Sequence, residues 1–139
     1  MQKNNLKIRD ANEGDCDEIK QLYENFCREF QLPSDDPPII EKTKVIVCEF
    51  DGHLFGYGSA DVVLYGGKNY TQGQHIYIKP EFRKTKCAGL IYRALNKWAK
   101  TLAKPLILIS APNEMEMWKR KGYKTIRYIM VKEIKCLKS

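Results

Sequence analysis

The sequence lacks paired cysteines, long apolar runs and clustered histidines, and each absence argues against a class of protein. Its five cysteines are odd in number and scattered through 139 residues, with no C-x-x-C pair and no metal-site spacing. We therefore expect a reduced, cytoplasmic chain without a disulfide framework or a bound metal. No apolar run is long enough to span a bilayer, and the first ten residues lack the apolar stretch of a secretion signal, so we expect no membrane contact.

The composition is that of an ordinary globular domain, but its charge is unevenly distributed. Hydrophobic residues make up 43% and charged residues 29% of the chain, without repeats or low-complexity segments, so we expect one domain over residues 1–139. Residues 1–69 hold 8 basic and 13 acidic side chains, whereas residues 70–139 hold 16 and 4. The asymmetry predicts that the second half either meets a polyanion or presents a solvated basic face.

Apolar periodicity and turn residues divide the first half into strands and one helix. Apolar positions from Cys16 to Phe30 recur at helical spacing, behind a first turn rich in acidic residues that the helix dipole favours. The predicted elements are a strand at 6–9, a helix at 12–30, an irregular proline-rich segment at 31–38, strands at 44–50 and 54–65 around an Asp51-Gly52 turn, a loop at 65–73 and a strand at 75–79.

The second half continues this alternation. The predicted elements are an amphipathic helix at 87–102, a strand buried on both faces after Pro105, a short helix at 114–121 between an Asn113 cap and Gly122, and a strand at 127–134. The complete order is β-α-β-β-β-α-β-α-β, which predicts an α/β fold with helices packed on a mixed sheet.

The stretch I-Y-I-K-P-E-F-R-K-T-K-C-A-G-L, residues 76–90, places four cations around the start of the second long helix. They are Lys79, Arg83, Lys84 and Lys86. A helix N-terminus already has unpaired N–H groups and a partial positive charge, so added cations cost stability unless an anion binds there. The stretch therefore predicts an anion site at this helix start.

Two motifs in this order resemble the GCN5-related N-acetyltransferases, the GNAT superfamily, over roughly residues 6–134. In that family a strand leads through P-x-[YF]-[RQ]-x-x-G-x-[GA] into a helix, and a later helix ends in aromatic-x-x-x-G-[FY]. The matching residues are Pro80, Phe82, Arg83 and Ala88 for the first motif, and Trp118, Gly122 and Tyr123 for the second. The resemblance implies the GNAT fold, and short members of this kind also resemble proteins of tailed bacteriophages.

The resemblance implies transfer of an acetyl group from acetyl-CoA to an amine on a small molecule or a protein, by a monomer or a homodimer. Backbone N–H groups around Ile76, Tyr77 and Ile78 would bind the thioester carbonyl. The phosphates of CoA would lie on the loop and the first helical turn, and Asn113 would be a further cofactor-binding residue. The loop and first-turn residues are Arg83, Lys84, Thr85, Lys86, Cys87, Ala88 and Gly89.

The catalytic residues predicted for this reaction are His75, Tyr77 and Trp118. His75 has an unperturbed pKa near ~6.5 and is the candidate base, directly or through water. Tyr77 lies on the same face by strand alternation and is the next candidate. Trp118 stands where the family often has a tyrosine acid, and its indole N–H is a donor but no useful acid. A packed or surface histidine and a core tyrosine are the structural alternatives.

Three departures from the family pattern favour a different function. Gln74 stands where the family often has a glutamate base, Lys86 stands where it has the first loop glycine, and Trp118 replaces the tyrosine. Each departure removes an expected part of the catalytic site. A non-catalytic module that binds nucleic acid or a protein partner is therefore the alternative, because a fold alone does not establish chemistry.

The acceptor site is predicted from an acidic region and from nearby aromatic residues. Family members often build this site in the region that corresponds to residues 29–41, which is acidic here. A cationic amine or a basic side chain would fit such a site, although a solvated acidic loop is an equal alternative. The candidate acceptor residues are Tyr23, Phe26, Asp35, Asp36 and Tyr65.

Overall fold

The computed structural model describes residues 6–34, 37–41, 43–107, 115–125 and 132. The chain divides into two compact units, residues 1–109 and 110–139. The described elements are, in chain order, β1 Leu6–Asp10, α1 Cys16–Phe30, β2 Lys44–Phe50, β3 His53–Tyr65, β4 Lys68–Ile78, α2 Cys87–Thr101, β5 Leu106–Ile107 and α3 Met115–Arg120. Within these ranges, no helix combines the length and the apolar character that a membrane span requires.

In the described part of the first unit, five strands form a mixed sheet that is its framework. Its strands lie in the order in which they occur in the chain, with antiparallel pairing from β1 to β4. β5 joins β4 in parallel, where Thr71 and Gln72 lie opposite Leu106 and Ile107. A parallel neighbour requires a crossover connection, which α2 supplies. The predicted α/β fold with a mixed sheet is confirmed.

The predicted loop at 65–73 is wrong, because these residues belong to a hairpin. Gly66 and Gly67 have φ angles of +55° and +78° and form a two-residue turn, so β4 begins at Lys68 opposite Tyr65. The pairing then runs without interruption along the outer part of β3. The strand predicted at 75–79 is therefore only the last part of an 11-residue strand.

The two long helices pack on opposite faces of the sheet. On the α1 face the buried side chains are Ile19, Leu22, Tyr23 and Cys27 of the helix with Val45, Val47, Leu54, Tyr57 and Tyr77 of the strands. On the α2 face they are Cys87, Ile91 and Leu95 of the helix with Ile46, Cys48, Phe55, Ala60 and Ile78 of the strands. Consecutive strand residues contribute to different clusters, as expected when side chains alternate between the two faces.

Small residues on β3 let α2 approach the sheet closely. A Cβ atom at Gly58 would lie 2.4 Å from Cγ2 of Ile91, and one at Gly56 would lie 2.4 Å from Cδ1 of Ile78. Side chains at these two positions would push the buried isoleucines aside. Gly58 therefore leaves room for Ile91 of α2, and Gly56 leaves room for Ile78 of β4.

The second unit is described by α3 and the turn after it. The helix predicted at 114–121 is observed at 115–120, and Gly122, with φ of +96°, follows its end. The rings of Trp118 and Tyr123 meet edge to face with centroids 5.5 Å apart. The predicted Asn113 cap and, apart from Lys132, the predicted last strand lie outside the described residues.

Candidate active site

A β-bulge in β4 directs His75 toward α1. Ser59 of β3 lies opposite His75, whereas the next residue of β3 lies opposite Gly73, so Gln74 is an extra residue in the ladder. Past the bulge, His75 and Tyr77 lie on the same face, as predicted. Their rings contact Phe26 of α1, with centroid distances of 4.4 Å and 6.0 Å. The candidate base therefore lies under α1 rather than at the outer surface of the sheet.

The ring of His75 contacts three aromatic side chains, those of Tyr23, Phe26 and Tyr57. Its ring stacks on Phe26 with the planes within 1° of parallel, and its Nε2 forms a hydrogen bond with the hydroxyl of Tyr57. Burial lowers the pKa of His75 from 6.5 to about 4, because the charged imidazolium loses hydration. The ring is therefore neutral at pH 7, and it accepts a proton less readily than a solvated histidine does.

Tyr57, which forms a hydrogen bond with His75, and Tyr77, which lies on the same face, are phenols at neutral pH. Tyr57 is fully buried, and burial raises the pKa of its hydroxyl above the ordinary value. The pKa of Tyr77 is also raised, first by burial and next by the neighbouring carboxylate of Glu29. Neither phenol titrates near neutral pH. Tyr57 nevertheless holds the His75 ring through Nε2, as an orienting group does in a catalytic site.

A cavity of about 240 Å³ lies beside His75. It is an open cleft bordered by α1, by the proline-rich segment after α1 and by strands β3 and β4. The lining residues are Tyr23, Phe26 and Cys27 of α1, Leu32, Pro33, Pro37, Pro38 and Thr43 of the segment, and Ser59, Asp61 and His75 of the strands. Two of the predicted acceptor residues, Tyr23 and Phe26, are thus brought together with the candidate base.

The start of α2 has the features of an anion site. The N-cap residue, Lys86, makes no side-chain cap hydrogen bond, no acidic residue lies in the first turn, and Lys84 and Lys86 are exposed beside it. Ala88 and Gly89 are also exposed, and a Cβ atom added at Gly89 would meet nothing within 4 Å. Lys86 itself has φ of −82°, which any side chain tolerates, so a glycine is not needed there. These residues fit the diphosphate of CoA.

Arg83 has partners inside the protein. Its Nε donates to the carbonyl of Ile78 at 2.8 Å, and its Nη2 donates to both carboxylate oxygens of Glu29 at 2.6 Å and 2.7 Å. The guanidinium also lies over the ring of Tyr77, 5.5 Å from the centroid. Arg83 thereby ties the last turn of α1 to the end of β4, and its predicted role as a phosphate ligand stays a prediction.

Along β4, the backbone N–H and C=O groups of successive residues point alternately toward β3 and toward the opposite edge of the strand. The N–H of Lys79 donates to a carbonyl of β3 at 2.8 Å, whereas the carbonyl of Ile78 accepts from Arg83. The N–H and C=O of one strand residue point to the same edge, and the edge alternates along the strand. Ile76 and Ile78 therefore direct their N–H groups away from β3, and Tyr77 directs its N–H toward β3.

The other predicted site residues are distributed over both units, and three of them lie outside the described residues. Cys87 is buried at the first position of α2, where its Sγ lies 2.8 Å from Oγ1 of Thr85. Tyr65 ends β3, and Trp118 belongs to α3 in the second unit. The predicted residues Asp35, Asp36 and Asn113 lie outside the described residues.

Sequence reasoning did not find the contribution of β3 to this site. Tyr57, Ser59 and Asp61 recur at every second position of the strand, and they meet His75 or line the cavity. A serine and an aspartate at that spacing within an otherwise apolar strand are the signal that would have identified them. The partner of Arg83, Glu29, has no comparable local signal.

Comparison with known proteins identifies the fold. No protein-family model and no curated protein sequence matches the chain. An acetyltransferase from Trypanosoma brucei matches with a TM-score of 0.70 at 14% identity, covering 93% of this chain and 99% of that one. The aminoglycoside N-acetyltransferase AAC(6')-Iy, in complex with the bisubstrate analogue CoA-S-monomethyl-acetylneamine, matches at 0.68 and 13%, covering 94% and 99%. The chain has the GNAT acetyltransferase fold.

A further solved structure with this fold is a complex with an antibiotic. It is an aminoglycoside acetyltransferase from an uncultured soil metagenomic sample, in complex with sisomicin, and it matches with a TM-score of 0.67 at 17% identity. The match covers 97% of this chain and 98% of the other. At such identities the likeness establishes the GNAT fold, and the chemistry has to be argued from the residues around β4.

Proposed function

We propose that this chain transfers an acetyl group from acetyl-CoA to an amine. The observation that carries the proposal is the arrangement around β4. A cavity with the neutral imidazole of His75 lies on the α1 side of the strand, and an uncapped, basic helix start follows the strand within ten residues. The GNAT fold supports the proposal, since one fold neighbour binds a CoA analogue and another binds an amine antibiotic.

The cofactor would be held mainly by the start of α2. Its diphosphate would accept hydrogen bonds from N–H groups of the first helical turn, next to Gly89, and would be neutralised by Lys84 and Lys86. Arg83 would act by position, holding the loop against α1 through Glu29. Bound acetyl-CoA would supply an activated thioester, so that a C–N bond forms, the C–S bond breaks, and CoA leaves as a thiol that takes up the proton lost by the amine.

The contribution of the protein to catalysis would be orientation and hydrogen bonding. The N–H groups of Ile76 and Ile78 point to the edge of β4 away from β3, where they would bind the thioester carbonyl as its negative charge develops. His75 would accept the amine proton at Nδ1. That role requires Nε2 to carry the ring proton and to donate it to the hydroxyl of Tyr57.

Burial makes His75 a weak base. Lowering the pKa of His75 from 6.5 to about 4 makes proton acceptance less favourable by about 3 kcal/mol. The amine would therefore react in its neutral form, after its ammonium proton has been lost to solvent, and His75 would take the proton that leaves the nitrogen as the C–N bond forms. With a pKa of about 4, protonated His75 would release this proton readily, and the departing thiolate of CoA would take it up, directly or through water.

A non-catalytic module that binds a nucleic acid is the second candidate. It is favoured by the exposure of Lys84 and Lys86 while Arg83 is engaged by Glu29, because exposed lysines bind any polyphosphate without geometric selection. This candidate predicts affinity for DNA or RNA with a steep dependence on salt concentration and no affinity for CoA.

Calorimetry with CoA, followed by turnover of acetyl-CoA with a panel of amines, tests the proposal. We expect CoA to bind and to raise the melting temperature, since a ligand at 100 times its Kd stabilises the native state by about 2.7 kcal/mol. Mass detection of an acetylated amine would establish the transfer. An absence of binding at millimolar CoA, together with salt-dependent binding of nucleic acid, would refute the transferase and leave the binding module.

A further inference from the structure

The solvent face of α2 carries a row of positive charges. Residues 82–113 contain no aspartate or glutamate, and seven cations fall within them: Arg83, Lys84, Lys86, Arg93, Lys97, Lys100 and Lys104. Four of these are exposed residues of the helix or its N-cap, and we call them the basic stripe: Lys86, Arg93, Lys97 and Lys100. At about 100° per residue, the four positions fall within an arc of about 60° around the helix axis.

The basic stripe points away from the sheet. The buried residues of α2 lie on nearly the opposite side of the helix, and they are Cys87, Ile91, Leu95 and Ala99. None of the exposed large hydrophobic side chains of the described residues belongs to α2. A helix that binds a lipid surface places an apolar face in the membrane, and the apolar face of α2 is already buried against the sheet. The stripe therefore offers charge without an exposed apolar surface.

The cations of the basic stripe have no ion-pair partner among the described residues. Other described cations pair with carboxylates, namely Arg9, Lys44, Arg83 and Lys119. Along α2, Lys97 instead has Arg93 four positions before it and Lys100 three positions after it, and like charges at these spacings repel. A partner with closely spaced negative charges would relieve this repulsion along the whole row.

The length and rigidity of the basic stripe match a regularly charged polymer. At about 1.5 Å per residue, the rise from Lys86 to Lys100 is about 21 Å. Duplex DNA carries one phosphate charge per roughly 1.7 Å of its axis, so every cation of the stripe can meet a phosphate. An α-helix also fits the major groove of B-form DNA, whereas the major groove of A-form RNA is too narrow.

The aromatic residues of α2 argue against a single-stranded partner. Proteins that bind single strands stack the bases on exposed aromatic rings. The aromatic residues of this helix are Tyr92 and Trp98, and both are half-buried. The described surface of α2 therefore favours the backbone of a duplex over unpaired bases.

We propose that the basic stripe is a docking surface for the phosphate backbone of duplex DNA. It lies on the face of the sheet opposite α1, so bound DNA would leave the cavity beside His75 open. The proposal does not depend on acetyl transfer. Lys86 is shared with the proposed cofactor site, whereas Arg93, Lys97 and Lys100 lie beyond it, so one chain can bind both CoA and DNA. Contacts with phosphates alone carry no preference for base sequence.

The test measures fluorescence anisotropy of a labelled 20-base-pair DNA between 50 and 200 mM KCl. We expect a Kd of about 10⁻⁶–10⁻⁴ M near physiological salt and a slope of log affinity against log salt of about −3 to −4, since four cations would each displace about 0.9 counterion. In the triple variant Arg93→Ala/Lys97→Ala/Lys100→Ala the slope should shrink to about −1. Its affinity for DNA at 50 mM KCl should fall about tenfold or more, with CoA affinity unchanged.

The matched control is Lys7→Ala/Lys20→Ala/Arg28→Ala. It also removes two lysines and one arginine, all of them exposed, from β1 and α1 rather than from α2. We expect this variant to keep the parent's salt slope. Equal losses in the two triple variants would show that net charge attracts DNA without a docking surface, and would overturn the proposal.

Three further probes test the choice of partner: single-stranded DNA of the same length, poly-glutamate and phosphatidylserine vesicles. Tighter binding of any of these than of the duplex would overturn the proposal, as would a parent protein without affinity for the duplex at 50 mM KCl. Calorimetry with CoA on the same samples keeps the two questions apart. A parent protein that binds the duplex through the stripe but does not bind CoA would refute the transferase and leave the docking surface in place.

Discussion

Arg83 of the loop before α2 and Glu29 of α1 form a bidentate ion pair across 54 positions of the chain, with N–O distances of 2.6 Å and 2.7 Å. The motif that contains Arg83 assigns this residue to phosphate binding. The ion pair instead gives the guanidinium a partner within the protein, and the carbonyl of Ile78 takes a third hydrogen bond. The cations left to meet a ligand at this helix start are therefore the lysines that follow.

The first prediction concerns Glu29→Gln, which removes the charge of the partner and keeps its shape. The pair is partly exposed, so the free energy of unfolding should fall by only about 0.2–1 kcal/mol. The affinity for CoA should stay within about twofold if Arg83 acts by position. Thermal unfolding and calorimetry measure the two quantities, with Glu24→Gln on the same helix as the control. A clear gain in CoA affinity would mean that the released Arg83 reaches the phosphates.

The second prediction concerns the exposed lysines at the start of α2. The double variant Lys84→Ala/Lys86→Ala should bind CoA about tenfold or more weakly, most evidently at low salt, because it loses two cations next to the diphosphate. The matched control, Lys97→Ala/Lys100→Ala, removes the same charge from the far part of the helix. If both double variants lose affinity equally, net charge rather than a local site attracts the cofactor.

The third prediction concerns Gly89, where stability and binding should change in opposite directions. Alanine is a better helix former than glycine, and its Cβ would meet nothing within 4 Å, so Gly89→Ala should raise the free energy of unfolding by about 0.5–1 kcal/mol. The same methyl group should obstruct the approach of a diphosphate and weaken CoA binding. Ala88→Gly should lower stability by a similar amount and leave CoA affinity intact. Unchanged affinity in Gly89→Ala would move the phosphate site elsewhere.

The fourth prediction follows from the burial of His75. The pKa of His75 is about 4 in the folded protein and near 6.5 in the unfolded chain, so between these values the unfolded chain binds the proton more readily. The free energy of unfolding should therefore fall by about 3 kcal/mol as the pH drops from about 6.5 to about 4. The pKa of Asp15 is lowered from 3.8 mainly by its hydrogen bond with Arg9, so protonation of Asp15 reduces the free energy of unfolding only at more acidic pH.

Two variants isolate the contribution of His75, because the chain contains only two histidines. In His75→Gln, the free energy of unfolding measured with denaturant should no longer depend on pH across this range. The dependence should persist in His53→Gln, which alters an exposed residue at the start of β3. An equal pH dependence in both variants would show that His75 is not the group that titrates.

The fifth prediction concerns the bond between Tyr57 and His75. If His75 is the base, its proton lies on Nε2 and Nδ1 is free, which the ¹⁵N chemical shifts of the two imidazoles report directly. Tyr57→Phe should give a mixture of tautomers, and His75→Gln should lower kcat by roughly 10²-fold or more without changing CoA affinity. A proton found on Nδ1 in the parent protein would remove the base role and leave the proton to water.

Local patterns were enough for the elements that depend on neighbouring residues. The apolar spacing of α1 and α2 and the Asp51-Gly52 turn were predicted within a few positions, because helix periodicity and positive φ angles are local properties. The Gly66-Gly67 turn falls inside the segment predicted as a loop, and the residues after it lack the apolar alternation that predicts a strand. Pairing with β3 makes that segment a strand, and pairing between strands is a tertiary property.

The sequence by itself determined the order of elements, the basic helix start and the presence of a histidine at the inner end of β4. Only the tertiary structure decided what surrounds these residues. The bulge at Gln74, the cover of Phe26 over His75, the bond to Tyr57 and the pairing of Arg83 with Glu29 all join segments distant in the chain. A pKa and a hydrogen-bond partner depend on which distant groups exclude water from a side chain, and that information is absent from any short stretch of sequence.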